Sequence, residues 1–161
     1  MTMQSTLHSL PSERLLALDA RLTAIKSRRV ATERLRAYRP YAKQREYHAA
    51  REREVLFMAG NQLGKTLAGA AEAAIHLTGE YPDWWDGHRF ERPVTMLAGS
   101  ESYELTRDGV QRLLIGPPAN EEDWGTGMIP ARALIDRTRR AGVSNALDGV
   151  TIRHVSGGVS S

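Results

Sequence analysis

The first regular pattern in the chain is a narrow apolar stripe. Leu15, Leu18, Leu22 and Ile25 recur at three-four-three spacing, which predicts a helix over residues 10–37. Pro11 suits its first position, Glu13 lies in its first turn, and Pro40 ends it. Arg14, Arg21, Lys26, Arg28, Arg29, Arg34 and Arg36 fill much of the remaining surface, so the stripe needs a partner surface, from this chain or another. The apolar run Val55 to Ala59 reads as a buried strand, followed by a turn from Gly60 to Gly64 and an Ala- and Leu-rich helix from Lys65 to Thr78, with Gly79 and Pro82 as stop signals. Residues 80–93 read as a loop carrying Trp84 and Trp85, and Val94 to Ala98 as a second buried strand. Glu101 to Ile115 reads as a helix with Leu105, Val110, Leu113 and Leu114 inward, closed by Gly116-Pro117-Pro118. A polar, Gly-rich loop is expected at 119–129, a helix from Ala131 to Arg140, and a half-buried strand from Val150 to Val155 before a Gly/Ser ending. Strand, helix, strand, helix, strand predicts an α/β fold with a parallel sheet.

Composition narrows the setting. At 161 residues the chain suits one domain, and 41% hydrophobic with 25% charged residues excludes wholesale disorder. There are no cysteines, which excludes disulfides and cysteine-ligated metals and fits a reducing compartment. Neither a signal peptide nor a membrane-length apolar run is present, so a cytoplasmic location is expected. Charge is unevenly spread: residues 1–53 carry 12 Lys and Arg against 5 Asp and Glu, whereas residues 54–161 carry 10 against 14. This suggests a basic helical arm, residues 1–37, on a body formed by residues 38–161. Nucleic acid is the default partner for such an arm, and a solvated Arg-rich helix accounts for the same charge equally well.

The segment from Val55 through Gly60, Asn61, Gln62, Leu63, Gly64, Lys65 and Thr66 carries the chemistry. A loop that wraps phosphate turns its N–H groups inward, which glycine permits without a Cβ clash, and the helix after it adds its N-terminal donors. Lys65 then reaches the β and γ phosphates of ATP as a point charge, and Thr66 offers a hydroxyl to Mg²⁺. One departure stands out: the strict pattern wants glycine at the position of Ala59, and here Gly60 comes one step later. A chance Gly-Lys-Thr in a turn is the competing reading, and the predicted strand and helix on either side favour the phosphate loop.

Ala59-Gly-Asn-Gln-Leu-Gly-Lys-Thr66 resembles the deviant Walker A motif of the large terminase subunit of tailed bacteriophages. Tyr38-Arg-Pro-Tyr-Ala-Lys-Gln44 is similar to the adenine-recognition segment upstream of it in that family. His76 to Trp85, Leu97 to Ser100, Thr106 to Asp108 and Trp124 to Pro130 are similar to segments downstream of the P-loop in one terminase branch. The resemblance covers residues 38–161 and implies a P-loop NTPase sheet of the RecA-like (ASCE) type. It implies a motor for viral genome packaging, a hydrolase that couples ATP turnover to translocation of double-stranded DNA. It further implies a homo-oligomeric ring, a small terminase subunit and a portal or prohead as partners, and the host cytoplasm as the setting. Gln44 would read the adenine edge, an amide that both donates and accepts; a surface glutamine is the bland alternative.

Asn61 stands where some terminases carry an arginine, so a finger would come from Arg107, Arg112, Arg132, Arg137, Arg139 or Arg140, each of which also reads as a solvated side chain. No run of four apolar residues followed by Asp-Glu is present, and Ala133-Leu-Ile-Asp136 and Ala146-Leu-Asp148 fall short of that Walker B pattern. The expectation is therefore the front part of a terminase ATPase domain, from a truncated or interrupted frame, without the nuclease domain and not catalytically competent alone. A helicase, a small kinase and a non-catalytic nucleotide- or DNA-binding remnant are the alternatives. For the arm, docking to a small terminase subunit stands beside DNA binding. His8, His48, His76, His88 and His154 show no metal-ligand spacing, Gly99-Ser100 lacks the glycine of a nucleophile elbow, and Trp84 and Trp85 read as packing residues before base-stacking ones.

Overall fold

The computed structural model describes residues 12–161 and the side chains from Arg14 onward, apart from residues 25, 26 and 28–32. Pro11 and, in the expected helix, the side chains of Glu13, Ile25, Lys26, Arg28 and Arg29 lie outside the described residues. The chain divides into two compact units, Met1–Ala31 and Thr32–Ser161. Helix α1 (Ser12–Thr32) lies in the first but for its last residue, and Leu15, Leu16, Leu18 and Leu22 on it are exposed. Helical structure resumes in the second unit as α2 (Arg34–Ala37), ahead of Pro40 as expected, and then α3 (Ala42–Ala49).

Helix α4 (Lys65–Thr78) is the centre of the second unit and spans the residues that the sequence assigns to it. Its run of alanines brings backbone and neighbours close, and Ala68, Ala71, Ala74 and Ile75 are fully buried. Left-handed glycines bound it at both ends: Gly64 at φ 73° and Gly79 at φ 72°, whose N–H closes on the Ile75 carbonyl at 2.8 Å. Trp85, Leu114, Ile115, Trp124, Ile129 and Ile152 complete the core against it.

The fold class is α/β, but the sheet differs from expectation. Three strands, β1 (Leu134–Arg139), β2 (Leu147–Arg153) and β3 (Val159–Ser160), form an antiparallel sheet in sequence order. Leu134 faces Ile152 and Arg137 faces Val150, and Ile152 is the inward anchor of β2. The expected half-buried strand at 150–155 is present, starting earlier, at Leu147, and ending at Arg153. The expected helix over Ala131 to Arg140 is corrected: one 3₁₀ turn (Ala131–Ala133) leads directly into β1. Ile135 and Thr138 are β-branched, the residues here make no 3.6-period stripe, and the β2 backbone supplies the ladder partners.

The two expected buried strands of a parallel sheet are not strands among the described residues. Val55 to Ala59 has no regular secondary structure, no described segment offers it a row of backbone groups, and Leu56 and Met58 are 82% and 78% exposed. Only Phe57 finds a surface, stacking on Tyr47 at 4.8 Å. Val94 to Ala98 makes a single pair of backbone bonds: the Met96 N–H to the Ser161 carbonyl at 2.7 Å and the Ser161 N–H to the Val94 carbonyl at 3.1 Å. That is the bond pattern of a parallel pair, one residue long. Leu97 beside it is 99% exposed.

The expected helix over 101–115 is also modified. It forms as α5 (Tyr103–Leu105), a π-helical stretch (Thr106–Gln111) and α6 (Arg112–Leu114). Leu105 is exposed rather than inward, whereas Val110, Leu113 and Leu114 do pack against the core. The π stretch has a visible use. It presents buried Gln111 to the β1–β2 turn, where its amide donates to the Asn145 carbonyl and accepts from the Leu147 N–H, both at 2.9 Å. The loop at 119–129 is not purely polar, since Trp124, Met128 and Ile129 are buried beneath it. Among the described residues, no helix is long and apolar enough to cross a membrane.

These exposures predict a contrast. Leu97→Ser will change unfolding free energy by no more than about 0.5 kcal/mol, as for ordinary surface sites. Ile75→Ala will cost about 2–5 kcal/mol. Urea unfolding of the two variants measures both, and a large loss at Leu97 would mean that this segment is packed in a sheet after all.

Candidate phosphate-binding loop

The loop from Gly60 to Gly64 follows the Val55–Ala59 segment and enters α4, and its geometry depends on two left-handed residues. Gln62 has φ 62° and Gly64 φ 73°. Left-handed residues alternating with ordinary ones turn successive N–H groups to one side and make an anion-binding concavity. A left-handed glutamine costs about 1–2 kcal/mol, which the surroundings must hold in place. The first intrahelical bond runs from the Ala68 N–H to the Gly64 carbonyl at 2.9 Å. The N–H groups of Lys65, Thr66 and Leu67 therefore have no helical acceptor, and the positive end of the α4 dipole adds to them. No side chain caps these donors.

Lys65 folds back over the loop, its Nζ donating to the Ala59 carbonyl at 2.5 Å and the Gly60 carbonyl at 2.8 Å. The ammonium thus sits over the same turn as the free N–H groups. Thr66 is exposed in the first turn of α4. A Cβ on Gly64 would come within 2.8 Å of the Gln44 Nε2, so another residue here would be strained in φ and would push the Gln44 amide aside. The donor set fits the phosphates of a nucleotide. For Mg²⁺ the protein offers the Thr66 hydroxyl, and among the described residues no group of three His, Asp or Glu side chains could hold a metal without help. Mg²⁺ commonly takes one or two protein groups and completes its shell with phosphate oxygens and water.

Gln44 lies beneath the loop rather than on the surface. It is 2% exposed and its amide is engaged with the chain itself: Nε2 donates to the Gly64 carbonyl at 3.2 Å, and Oε1 accepts from the Tyr41 N–H at 2.9 Å. Contact with a base edge would require exchange of one of these bonds.

Behind Gln44 is a buried polar chain that sequence reasoning did not find. His48, 1% exposed, bonds through Nδ1 to Glu72 Oε2 and through Nε2 to the Tyr38 hydroxyl at 3.0 Å. Glu72 Oε1 lies 3.4 Å from His76 Nε2, and His76 Nδ1 lies 3.0 Å from the Tyr81 hydroxyl. Burial pushes the Glu72 carboxyl up, but the hydrogen bonds and charge of His48 and His76 outweigh it and hold the group below the usual glutamate range. Burial, reinforced by the Glu72 charge, pushes the Tyr38 hydroxyl up to about 12. The signal in the sequence was a single glutamate within Ala-rich α4, four residues before His76. Its second partner, His48, is 24 residues away, beyond the reach of a spacing argument.

Trp85 is buried against His48 and His76, the packing role expected of it, and Trp84 lies half-buried beneath the Arg45 guanidinium. The arginines are mostly engaged elsewhere. Arg132 pairs with Glu33 and Glu80, Arg137 and Arg139 with Glu121, Arg140 with Asp148, and Arg107 with its neighbour Asp108. Arg112 is exposed at the start of α6. Asp136 and Asp148 are exposed on β1 and β2, so neither ends a buried apolar strand.

Residues 56–158 match the family described as "Terminase large subunit, T4likevirus-type, N-terminal". The chain belongs to the large terminase subunits. It is similar to the large terminase subunit of Salmonella phage P22, with 37% identity over 139 residues that cover 76% of this chain and 28% of the P22 protein. The chain therefore spans about a quarter of that relative's length. No solved structure gives a significant match.

This geometry generates two predictions. Gly64→Ala will destabilise the protein by about 1–2 kcal/mol from backbone strain alone, before the Gln44 contact is counted. Thermal unfolding checks this, and an unchanged midpoint would show that the loop adopts another conformation. The pH dependence has a definite sign. Glu72 has a depressed folded value, so its contribution is complete above the ordinary glutamate range and is lost as pH falls through the depressed value. Glu72→Gln will flatten that acid limb of the stability profile.

Proposed function

We propose that this chain forms the nucleotide-binding front of a phage DNA-packaging motor. The loop from Gly60 to Thr66 binds Mg-ATP, with Gly60, Asn61, Gln62, Leu63 and Gly64 as the backbone cradle. Lys65 neutralises the β and γ phosphates, and Thr66 supplies one Mg²⁺ ligand. The observation that carries this reading is the coincidence of left-handed Gln62 and Gly64, the uncapped N-terminus of α4 and the Lys65 ammonium over one turn. Lys65 acts in catalysis only by phosphate contact.

In the whole subunit, attack of water on the γ-phosphate is coupled to translocation of double-stranded DNA. The large subunits form a ring that works with a small terminase subunit and the portal in the host cytoplasm. Family membership supports this part, and the residues of this chain supply phosphate binding rather than the complete hydrolytic set. The parallel P-loop sheet belongs to the same proposal. The bonds between Val94, Met96 and Ser161 run in the parallel sense and support it. Gln44 supports the loop from below through its bond to Gly64 and meets adenine by exchanging its bond to Tyr41.

Lys65→Ala removes one charge-assisted contact, worth about 2–3 kcal/mol. Mg-ATP affinity will fall by about 30- to 150-fold in a calorimetric titration. Equal affinity in the variant and the parent chain would refute the assignment.

A further inference from the structure

Tyr38 has one hydroxyl hydrogen and two acceptors in reach: His48 Nε2 at 3.0 Å and Gln44 Oε1 at 3.4 Å. The state of His48 decides between them. A carboxylate only accepts, so His48 Nδ1 carries the hydrogen in its bond to Glu72. With the ring neutral, Nε2 has a lone pair and takes the Tyr38 hydrogen. With a second proton, drawn from solvent, Nε2–H donates to the Tyr38 oxygen instead, and the hydroxyl hydrogen is released toward Gln44 Oε1. Gln44 in turn holds the Gly64 carbonyl, the last residue of the loop before α4.

We propose that Tyr38, His48 and Glu72 are positioning residues for the loop: a proton on His48 turns the Tyr38 hydroxyl from the imidazole to Gln44 and tightens the hold of the Gln44 amide on Gly64. The surroundings suit a switch of this kind. The titratable groups facing the ring are Tyr38 and Tyr47 from the α2–α3 side and Glu72 from α4, with His76 beyond Glu72 and Arg45 over the neighbouring Trp84. Glu72 is held in its charged form and Tyr38 in its protonated form, so His48, which bonds to both, is the member of the relay with a ring nitrogen free to take a proton. Its effect on a ligand rests on the nucleotide-binding reading, whereas the relay itself does not.

The test is an NMR pH titration of the full chain, following the His48 ring and the Gln44 side-chain amide, repeated for Tyr38→Phe and Glu72→Gln. In the parent protein the Gln44 amide will shift with the midpoint of His48. In Tyr38→Phe the ring will titrate without Gln44 following. In Glu72→Gln both midpoints will move together to lower pH, because the carboxylate that favours the charged ring is gone; this second variant keeps the test decisive if the first does not fold. A Gln44 amide that ignores His48 in the parent, or follows it in Tyr38→Phe, would overturn the relay.

Mg-ATP titrations on either side of the midpoint complete the test. Affinity will be about fivefold higher with His48 protonated, the worth of about one neutral hydrogen bond, and will lose this dependence in Tyr38→Phe. Should Gln44 follow His48 while Mg-ATP binds at no pH, the nucleotide-binding reading fails and the relay stands. Should Mg-ATP bind equally on both sides, the coupling of relay to loop is wrong.

Discussion

Burial of helix α4 is the constraint on which the rest of this structure depends. Its alanine face packs into one core with Trp85, Leu114, Ile115, Trp124, Ile129 and Ile152, and Ile75 is sealed within it. A helix fixed in this way presents its N-terminus at a fixed place, so the loop before it does not need to find its own position. The left-handed Gly64 then sets the angle at which the loop arrives, and a side chain there would displace the Gln44 amide. Hydrophobic packing thereby becomes orientation of backbone dipoles, which is the property that a phosphate site needs.

Glu72 is the one carboxylate in α4, partly buried beside the core, and its environment explains why it is tolerated. A buried carboxylate without partners is costly. Glu72 has two histidines within reach, one from its own helix and one from α3, and each histidine passes the interaction to a tyrosine hydroxyl. The same bonds that satisfy Glu72 tie α3 to α4 and bring Gln44 under the loop. Structural satisfaction and positioning of the site are therefore one network.

The local features were the most legible in the sequence. The bounds of α4, the turn before it and the glycine stop after it are set by propensity and capping, which act over a few residues. The resemblance to the terminases, read from the motif around Lys65, agrees with the family match over residues 56–158. Features that the sequence did not disclose depend on distant partners. Leu134 to Arg139 is β1 and not a helix because β2 pairs with it, and Val55 to Ala59 is largely exposed because no described segment pairs with it. An apolar run reports that burial is favourable and does not say which neighbour provides it. The π-helical stretch at Thr106–Gln111 is likewise explained by the contacts of Gln111 with the β1–β2 turn, a relation spanning 34 residues. The His48–Glu72 bond belongs to the same class.

The central claim is that the loop binds phosphate through its backbone N–H groups. Amide chemical shifts of the uniformly labelled chain, recorded as Mg-ATP and, separately, Mg-tripolyphosphate are added, test it most directly. The proposed site predicts the largest and saturable changes on Gly60 to Thr66 with either ligand, since the proposed contacts are to the triphosphate and not the base. Changes confined to other segments, or none at saturating ligand, would contradict the account.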